Sequence, residues 1–378
     1  MTNPFKPTAG KMPPILIGRQ TVIDDFQEGL ANGAGAPGRL MLITGQRGYG
    51  KTVMLTELGR VANASGWDVV SETASEGMCD RLIADLAAKG VKLKGVNVQP
   101  SVGIAGLVNA SLGSAAFSVE QAAVTLRNAI EARLAKMPQG KGIVFTIDEA
   151  QAASMEDMVS LATTIQHVIR DEDMRNVPDV EKRGVAFVFA ALPSLMDELL
   201  HEKVLTFLRR SVQHDLGPVA MPDVRDAFIQ TVRTAGRDID ADIAQKAAEA
   251  SRGYPYMIQL IGYYMWRAAD MRGAKEIDEA DVGRGEADAL RLFDDAVCAP
   301  LYNGLTSAQK LFVRAMVHAS AHAHDVKVSD IARLARRSGS WASKYRASLI
   351  KERVIESAGY GTVRLTTPHL AEYVRGLA

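Results

Sequence analysis

The chain has 378 residues, a length that indicates two or three domains. Its hydrophobic content of 47% is typical of a globular protein and excludes an intrinsically disordered one. The 44 Lys and Arg balance 44 Asp and Glu, so the net charge indicates no class of partner. No apolar run approaches the roughly 18 residues of a membrane span, and the first residues lack the apolar core of a secretory signal. Cys79 and Cys298 lie far apart without metal-ligand spacing, so a disulfide framework is not expected and we predict a cytoplasmic protein that enters no membrane.

The first predicted domain, residues 1–220, is an α/β domain whose parallel sheet is covered by helices on both faces. Its strand patterns are continuous apolar runs rather than alternating ones, as expected of strands buried on both faces. Strands are predicted at residues 39–44, 67–74, 142–151, 184–193 and 212–219. After an irregular arm over residues 1–14, helices are predicted at residues 22–33, 51–66, 77–89, 118–137 and 154–171. A β-hairpin insertion is predicted at about residues 91–117.

Two smaller predicted domains follow this sheet. Residues 221–299 contain four helical patterns and no strand pattern, which predicts a helical lid. Residues 300–378 contain helical patterns at 306–320, 327–337 and 338–355, and then an alternating pattern at 356–367 around a Gly-Tyr-Gly turn. Three helices followed by a hairpin is the element order of a winged-helix domain.

Residues 45–52, with the sequence "GQRGYGKT", lie between a predicted strand and a predicted helix. They match the pattern Gly-x-x-x-x-Gly-Lys-Ser/Thr of P-loop NTPases, in which glycines let backbone amides turn toward phosphate oxygens at the positive end of a helix. The lysine would bind the β and γ phosphates of ATP and assist catalysis, and the threonine hydroxyl would ligate Mg²⁺. A chance glycine-rich turn is the alternative, and the flanking strand and helix argue against it. The nucleotide-binding residues predicted in this P-loop are Gly45, Gly48, Gly50, Lys51, Thr52 and Val53.

The strand pattern at residues 142–151 delivers two acids, Asp148 and Glu149, to its end. Ligands of open α/β sheets bind at the carboxyl ends of the strands. Asp148 is therefore predicted to hold Mg²⁺, directly or through water, and Glu149 to polarise the attacking water as a general base. Paired acids at a plain helix N-terminus are the alternative, and the P-loop upstream favours the catalytic interpretation.

These motifs together resemble those of AAA+ ATPases. The resemblance covers roughly residues 14–300 and is carried by "ILIGRQ" at residues 15–20, "GQRGYGKT", "IDEAQ" at residues 147–151 and an arginine pair before the fifth strand. Within this family the set of motifs is most similar to that of the origin-recognition initiators and the related STAND-type ATPases, whose pattern includes a C-terminal winged helix. The resemblance implies that Gly18 and Arg19 lie near the adenine, although Gln20 stands where the usual residue is glutamate.

The arginine pair, Arg209 and Arg210, stands where such proteins carry an arginine finger. A finger neutralises charge on the γ-phosphate bound by a neighbouring subunit, so the resemblance implies self-assembly. The alternative is a solvated helix end, where cations suit the helix dipole.

Two departures from the family pattern bear on hydrolysis. The strand at residues 184–193 ends in alanines where many relatives have a polar sensor, and Ser194 is a weak substitute. Tyr256 stands in the arginine position of a Gly-x-Pro-Arg motif, and a tyrosine supplies no fixed positive charge. The resemblance therefore points toward STAND-like switches, which bind ATP tightly and turn over slowly. Arg252 is close in sequence to the missing arginine.

The C-terminal segment is the basic part of the chain. Residues 300–378 carry 12 Lys and Arg against 5 Asp and Glu, whereas residues 1–299 carry 32 against 39. In a winged helix the recognition helix would lie at residues 338–355, where basic side chains for phosphates interleave with Trp341 and Tyr345. A protein-docking or autoinhibitory module is the alternative. The predicted DNA-binding residues are Arg336, Arg337, Lys344, Arg346, Lys351 and Arg364.

The sequence predicts an ATPase that binds ATP and Mg²⁺, self-assembles, and uses its nucleotide state to control double-stranded DNA binding by the winged helix. One alternative is a STAND-like signalling switch whose winged helix packs on the ATPase core until a protein partner releases it. Another is a mobile-element regulator with a protein partner at the DNA. The missing sensor arginine favours the switch, and the basic C-terminal segment favours DNA.

Overall fold

The computed structural model describes residues 2–8, 10–88, 125–193, 208–320 and 325–377. The hairpin insertion predicted at residues 91–117 and the candidate sensor Ser194 lie outside the described residues. The chain divides into two compact units. We call them the sheet unit, which comprises Val22–Thr44 and Met54–Asp215, and the loop unit, which comprises Met1–Thr21, Gly45–Val53 and Leu216–Ala378.

The sheet unit is built on five parallel strands, as the continuous apolar runs predicted. Their order across the sheet is β2-β3-β4-β1-β5, and each neighbouring pair is parallel. Every residue of β4 is buried, because a central parallel strand is covered on both faces. The strands are β1 (Leu40–Thr44), β2 (Asp68–Thr73), β3 (Gly142–Asp148), β4 (Gly184–Ala191) and β5 (Val212–Asp215).

The helices in the described part of the first 215 residues alternate with the strands largely as predicted. The helix predicted from residue 118 begins later, because the backbone of Thr125 is extended and its side chain accepts a hydrogen bond from the Asn128 amide as an N-cap. The helices are α1 (Gln20–Ala31), α2 (Lys51–Ala64), α3 (Met78–Ala88), α4 (Leu126–Leu134) and α5 (Met155–Asp173).

Aromatic side chains on the two central strands form part of the buried core. Phe145 of β3 and Phe187 of β4 are register partners, and their rings stack with centroids 4.6 Å apart. The edge strand β5 ends at Asp215, four residues before the predicted end. Its burial alternates along the strand, and Thr44 Oγ1 donates a hydrogen bond of 2.9 Å to Asp215 at this end.

The loop unit contains the four predicted lid helices, packed around buried Phe228, Trp266 and Phe293. Two short parallel strands, β6 (Asp238–Ile239) and β7 (Glu276–Ile277), pair beside them. The lid helices are α6 (Met221–Thr234), α7 (Ala241–Ser251), α8 (Pro255–Met271) and α9 (Glu279–Phe293).

The C-terminal segment has the predicted order of three helices and a hairpin, with one short helix before them and one further helix after them. The hairpin pairs β10 with β9, and β8 completes a three-stranded antiparallel sheet in the order β8-β10-β9. The helices are α10 (Ala299–Asn303), α11 (Ser307–Ala319), α12 (Val328–Leu334), α13 (Gly339–Lys351) and α14 (Leu370–Gly376). The strands are β8 (Val326–Lys327), β9 (Ile355–Gly359) and β10 (Thr362–Leu365). No helix in the described part of the chain is both long and apolar enough to span a membrane.

The N-terminal arm is irregular, as predicted, but it is anchored in the lid helices by Phe5, which is only 2% exposed. A Cβ atom at Gly262 would lie 2.3 Å from the Phe5 ring, so the glycine makes room for the ring. The Lys6 amide donates a hydrogen bond of 3.1 Å to Gln259 Oε1 on the same helix. The arm is therefore part of the packed core of the loop unit.

We expect Phe5→Ala to lower the thermal midpoint of the protein, because the loss of a buried phenyl ring costs about 3–5 kcal/mol. Lys6→Ala is the matched control, since the Lys6 side chain is exposed and its backbone amide is retained. Differential scanning calorimetry measures both. Equal midpoints for the two variants would contradict the anchoring role of Phe5.

Candidate nucleotide-binding site

The P-loop, residues 45–52, connects β1 to the first turn of α2. Gly48 has φ +81° and Gly50 has φ +89°, values in the left-handed region that glycine adopts without steric cost. A Cβ at Gly50 would meet nothing within 4 Å, whereas a Cβ at Gly48 would lie 2.0 Å from the Tyr254 hydroxyl. Gly50 is therefore required by the backbone alone, and Gly48 is required by both the backbone and its neighbour.

Lys51 places its ammonium inside the P-loop. The residue is 6% exposed, and Nζ donates hydrogen bonds of 2.9 Å to the Gly45 carbonyl and 3.2 Å to the Gln46 carbonyl. Thr52 is exposed and Val53 is half-buried at the start of α2. The loop thus combines a cation with the positive end of a 14-residue helix, a combination suited to a bound anion.

Tyr254, which sequence reasoning did not identify as a site residue, packs directly against the P-loop. Its hydroxyl donates a hydrogen bond of 2.6 Å to the Arg47 carbonyl, and its ring meets that of Tyr49 edge-on at 5.0 Å. Burial raises the pKa of Tyr254 above its ordinary value, so the hydroxyl stays protonated as a donor. The sequence feature that could have identified Tyr254 is its position in "GYPY", two residues before Tyr256.

The segment predicted to lie near the adenine contacts the residues that follow β5. Arg19 donates a hydrogen bond of 2.7 Å to the Gly217 carbonyl. Gly18 has φ +64°, and a Cβ there would lie 3.4 Å from Val219 Cγ1. These contacts join residues 18 and 19 to the chain segment that follows β5.

In the sheet unit, β3 ends at Asp148, and Glu149 follows in a left-handed backbone conformation with φ +51°. A non-glycine residue in this region carries a strain of about 1–3 kcal/mol, and such residues cluster at functional sites. The Asp148 carboxylate accepts a 2.9 Å hydrogen bond from the Glu149 amide. Both side chains are half-buried at the carboxyl end of their strand.

Gln151 is a second residue that sequence reasoning missed, although it is part of the "IDEAQ" motif. Its side-chain amide nitrogen donates to the Glu149 carboxylate, and its side-chain oxygen accepts a 3.0 Å hydrogen bond from the Leu192 amide, just after β4. Gln151 therefore fixes the Glu149 carboxylate relative to the neighbouring strand.

Arg209 and Arg210 belong to the turn that precedes β5, at the amino ends of the strands. Arg209 is half-buried and Arg210 is exposed. Since all five strands are parallel, this edge lies opposite the edge that carries Asp148. The four residues of β5 alone span about 13 Å.

The predicted DNA-binding residues divide into two groups. Arg346 Nη2 donates a 3.1 Å hydrogen bond to Ser357 Oγ on β9, and Arg364 forms ion pairs of 3.1 Å with Asp325 and 3.7 Å with Glu356. The remaining four side chains, which lie on α13 or in the turn before it, are exposed: Arg336, Arg337, Lys344 and Lys351.

Comparison with known proteins identifies two regions of the chain. Residues 15–177 match a family model described as an AAA ATPase domain, and residues 295–374 match a domain of unknown function, DUF8462. No curated protein sequence matches the chain.

Solved structures resemble the whole chain at low sequence identity. The ORC2 protein of Aeropyrum pernix in its ADPNP–ADP complexes has a TM-score of 0.59 and 13% identity, covering 98% of this chain and 96% of that one. Its ADP form has a TM-score of 0.53 and 13% identity, covering 99% and 98%. Cdc6p of Pyrobaculum aerophilum has a TM-score of 0.48 and 15% identity, covering 98% and 96%.

The ORC2 likeness shows a shared fold, in agreement with the parallel sheet and helices described above. The AAA ATPase match spans β1, the P-loop, α2 and the acids that end β3. With an AAA ATPase domain over residues 15–177 on a parallel sheet of this order, the protein is a P-loop ATPase.

Proposed function

We propose that this protein uses its nucleotide state to control binding of double-stranded DNA and assembly with further copies of itself. The observation that carries the proposal is the set of four exposed basic side chains on and before α13, in the same chain as an AAA ATPase domain. In this proposal the C-terminal segment is a winged helix, and α13 is its recognition helix.

ATP binding is assigned to the P-loop. The open side of Gly50 and the Lys51 ammonium inside the loop support a triphosphate as the ligand. The Aeropyrum pernix ORC2 protein was solved with ADPNP and ADP, which supports an adenine nucleotide, with Gly18 and Arg19 near the base. Thr52 and Asp148 would hold Mg²⁺, which neutralises phosphate charge when bound.

Glu149 is proposed as the general base. Its carboxylate is fixed by the hydrogen bond from Gln151, and it follows the carboxyl end of β3, the edge of the sheet from which the P-loop also leaves β1. A fixed carboxylate at this edge would orient the attacking water and accept its proton. Lys51 would stabilise the charge that develops on the γ-phosphate.

Arg209 or Arg210 is proposed to act on the nucleotide of a neighbouring subunit. Both lie at the amino ends of the strands, at the opposite edge of the sheet from Asp148. An arginine at that edge suits a finger supplied in trans, and hydrolysis would then depend on assembly.

A STAND-like switch is the second candidate, and one contact in the loop unit favours it. Arg252, the arginine nearest to the Tyr256 position, forms an ion pair of 2.6 Å with Glu372 of α14. The C-terminal segment therefore contacts the lid helices, as expected of a docking module that a protein partner releases. A salt series separates the candidates, because DNA affinity falls steeply with salt when phosphates are neutralised, whereas a docking module would bind duplex DNA weakly at every salt concentration.

We expect Lys51→Ala to abolish ATP binding, and Glu149→Gln to retain ATP binding while turnover falls by at least about 100-fold, the scale of general-base catalysis. Equilibrium binding of a fluorescent ATP analogue and a phosphate-release assay measure the two effects. Glu156→Gln, on the exposed first turn of α5, is the matched control. Normal turnover by Glu149→Gln would refute the base assignment.

We expect the double variant Arg337→Glu and Lys344→Glu to weaken duplex-DNA binding and to flatten its salt dependence, by about 0.9 in log–log slope for each phosphate that the protein no longer neutralises. Fluorescence anisotropy with labelled duplex at several salt concentrations, with and without ATP, measures this. Arg375→Glu on α14 is a control for a change of charge elsewhere in the segment. Unchanged affinity and an unchanged salt slope in the double variant would contradict the proposed DNA contact by α13.

A further inference from the structure

Four buried rings form a continuous row through the loop unit, from the P-loop to the start of α14. Tyr49 meets Tyr254 at 5.0 Å, Tyr254 meets Phe293 at 5.4 Å, and Phe293 meets His369 at 6.0 Å, each pair edge-on. All four residues are less than 10% exposed. Interiors are close-packed, so a displacement of one ring in such a row must be accommodated by the next.

At the P-loop end, Tyr254 controls the direction of one peptide group. Its hydroxyl donates to the Arg47 carbonyl at 2.6 Å. In a planar trans peptide the carbonyl and the following N–H point in opposite directions. The hydrogen bond therefore aims the Gly48 N–H away from Tyr254, and amides of this loop are the groups that bind phosphate in P-loops.

Tyr254 cannot shift independently of the lid helices, because its own backbone is tightly held. It is the residue before Pro255 at the start of α8, and it follows Gly253, whose φ is +70°. The Val219 amide donates to the Gly253 carbonyl at 2.8 Å, and a Cβ at Gly253 would lie 2.2 Å from the Val219 oxygen. A rotation of the Arg47 peptide would therefore act on α8 through Tyr254.

At the other end, Phe293 is the last residue of α9, and His369 precedes α14 with φ +62°. Burial lowers the pKa of His369 to about 4, so at neutral pH its ring packs as an uncharged aromatic. Beside it, the ion pair between Arg252 and Glu372 joins α14 to the end of α7. The row of rings thus ends beside the ion pair that joins α14 to the lid helices.

We propose that Tyr254 is a positioning residue for the P-loop and that, through Phe293 and His369, it couples nucleotide binding at the loop to the seating of α14 on the lid helices. The inference rests on the proposed function, because it takes the ligand of the P-loop to be ATP. When phosphate oxygens bind the loop amides, the Arg47–Gly48 peptide takes its bound orientation. Tyr254 transmits that orientation to α8 and along the rings.

The test uses the full chain and the variant Tyr254→Phe, which keeps the ring and removes the hydroxyl. Tyr256→Phe is the matched control, since it makes the same chemical change two residues away. Affinity for a non-hydrolysable ATP analogue is measured by titration, and the seating of α14 by hydrogen–deuterium exchange over residues 369–377 with and without saturating analogue. Thermal unfolding checks that each variant is folded.

The wild-type chain should show altered exchange in α14 when the analogue binds. Tyr254→Phe should bind the analogue about 5- to 10-fold more weakly, the effect of removing one hydrogen bond, and at saturation should lose the exchange response of α14. Tyr256→Phe should retain both properties. His369→Asn, which tolerates the left-handed backbone and leaves the hydroxyl contact to Arg47 intact, should lose the exchange response with a smaller change in affinity.

Two results would overturn this inference while leaving the proposed function intact. One is a wild-type chain that binds the analogue without any change in α14, and the other is a full α14 response in saturated Tyr254→Phe and His369→Asn. A wild-type chain that does not bind the analogue would instead refute the proposed function, and the inference with it.

Discussion

The direction of the strands is the constraint on which the candidate site depends. With all five strands parallel, their carboxyl ends meet at one edge of the sheet, where ligands of open α/β sheets bind. The central strand β4 is buried along its whole length. Thr44 ends β1 directly before the P-loop, and Asp148 ends β3. Only β4 separates these two strands. A sheet of mixed direction would send one of these chain segments to the opposite edge.

The charged side chain of the P-loop, Lys51, has neutral hydrogen-bond partners within the loop. The Lys51 ammonium is bonded to carbonyls of its own loop, so it is already inside the loop and partly stripped of water. A phosphate would add the Coulomb attraction between opposite charges, which a neutral carbonyl lacks. A phosphate that replaces carbonyl partners would therefore gain from an ammonium that needs little reorganisation, and rigid support of the loop by Tyr254 would preserve that advantage.

Local patterns could be predicted from the sequence, and contacts between distant residues could not. The apolar runs of β1, β3 and β4, the P-loop and the acids at the end of β3 are each contained in about ten consecutive residues, where period and spacing are visible. The Tyr254 hydroxyl bonds to a carbonyl 207 residues away, and "GYPY" alone does not indicate such a partner. Phe5 looked like part of an irregular arm because its partner, Gly262, is recognisable only once α8 is packed. The prediction of one helix running from residue 118 was wrong at Thr125, because a Ser-x-x-Gln capping pattern marks a possible helix start and does not show that Thr125 is extended.

The two proposed roles of the C-terminal segment use different faces of it. The docking contact is made by His369 and Glu372 around α14, where the ring is buried against Phe293. The basic side chains of the DNA proposal, including Arg337 and Lys344, are exposed on and before α13, within the same compact unit. The basic side chains on and before α13 therefore remain exposed while α14 is packed on the lid helices. It follows that packing of α14 on the lid helices and access of DNA to these basic side chains are compatible, so the two proposals do not exclude each other.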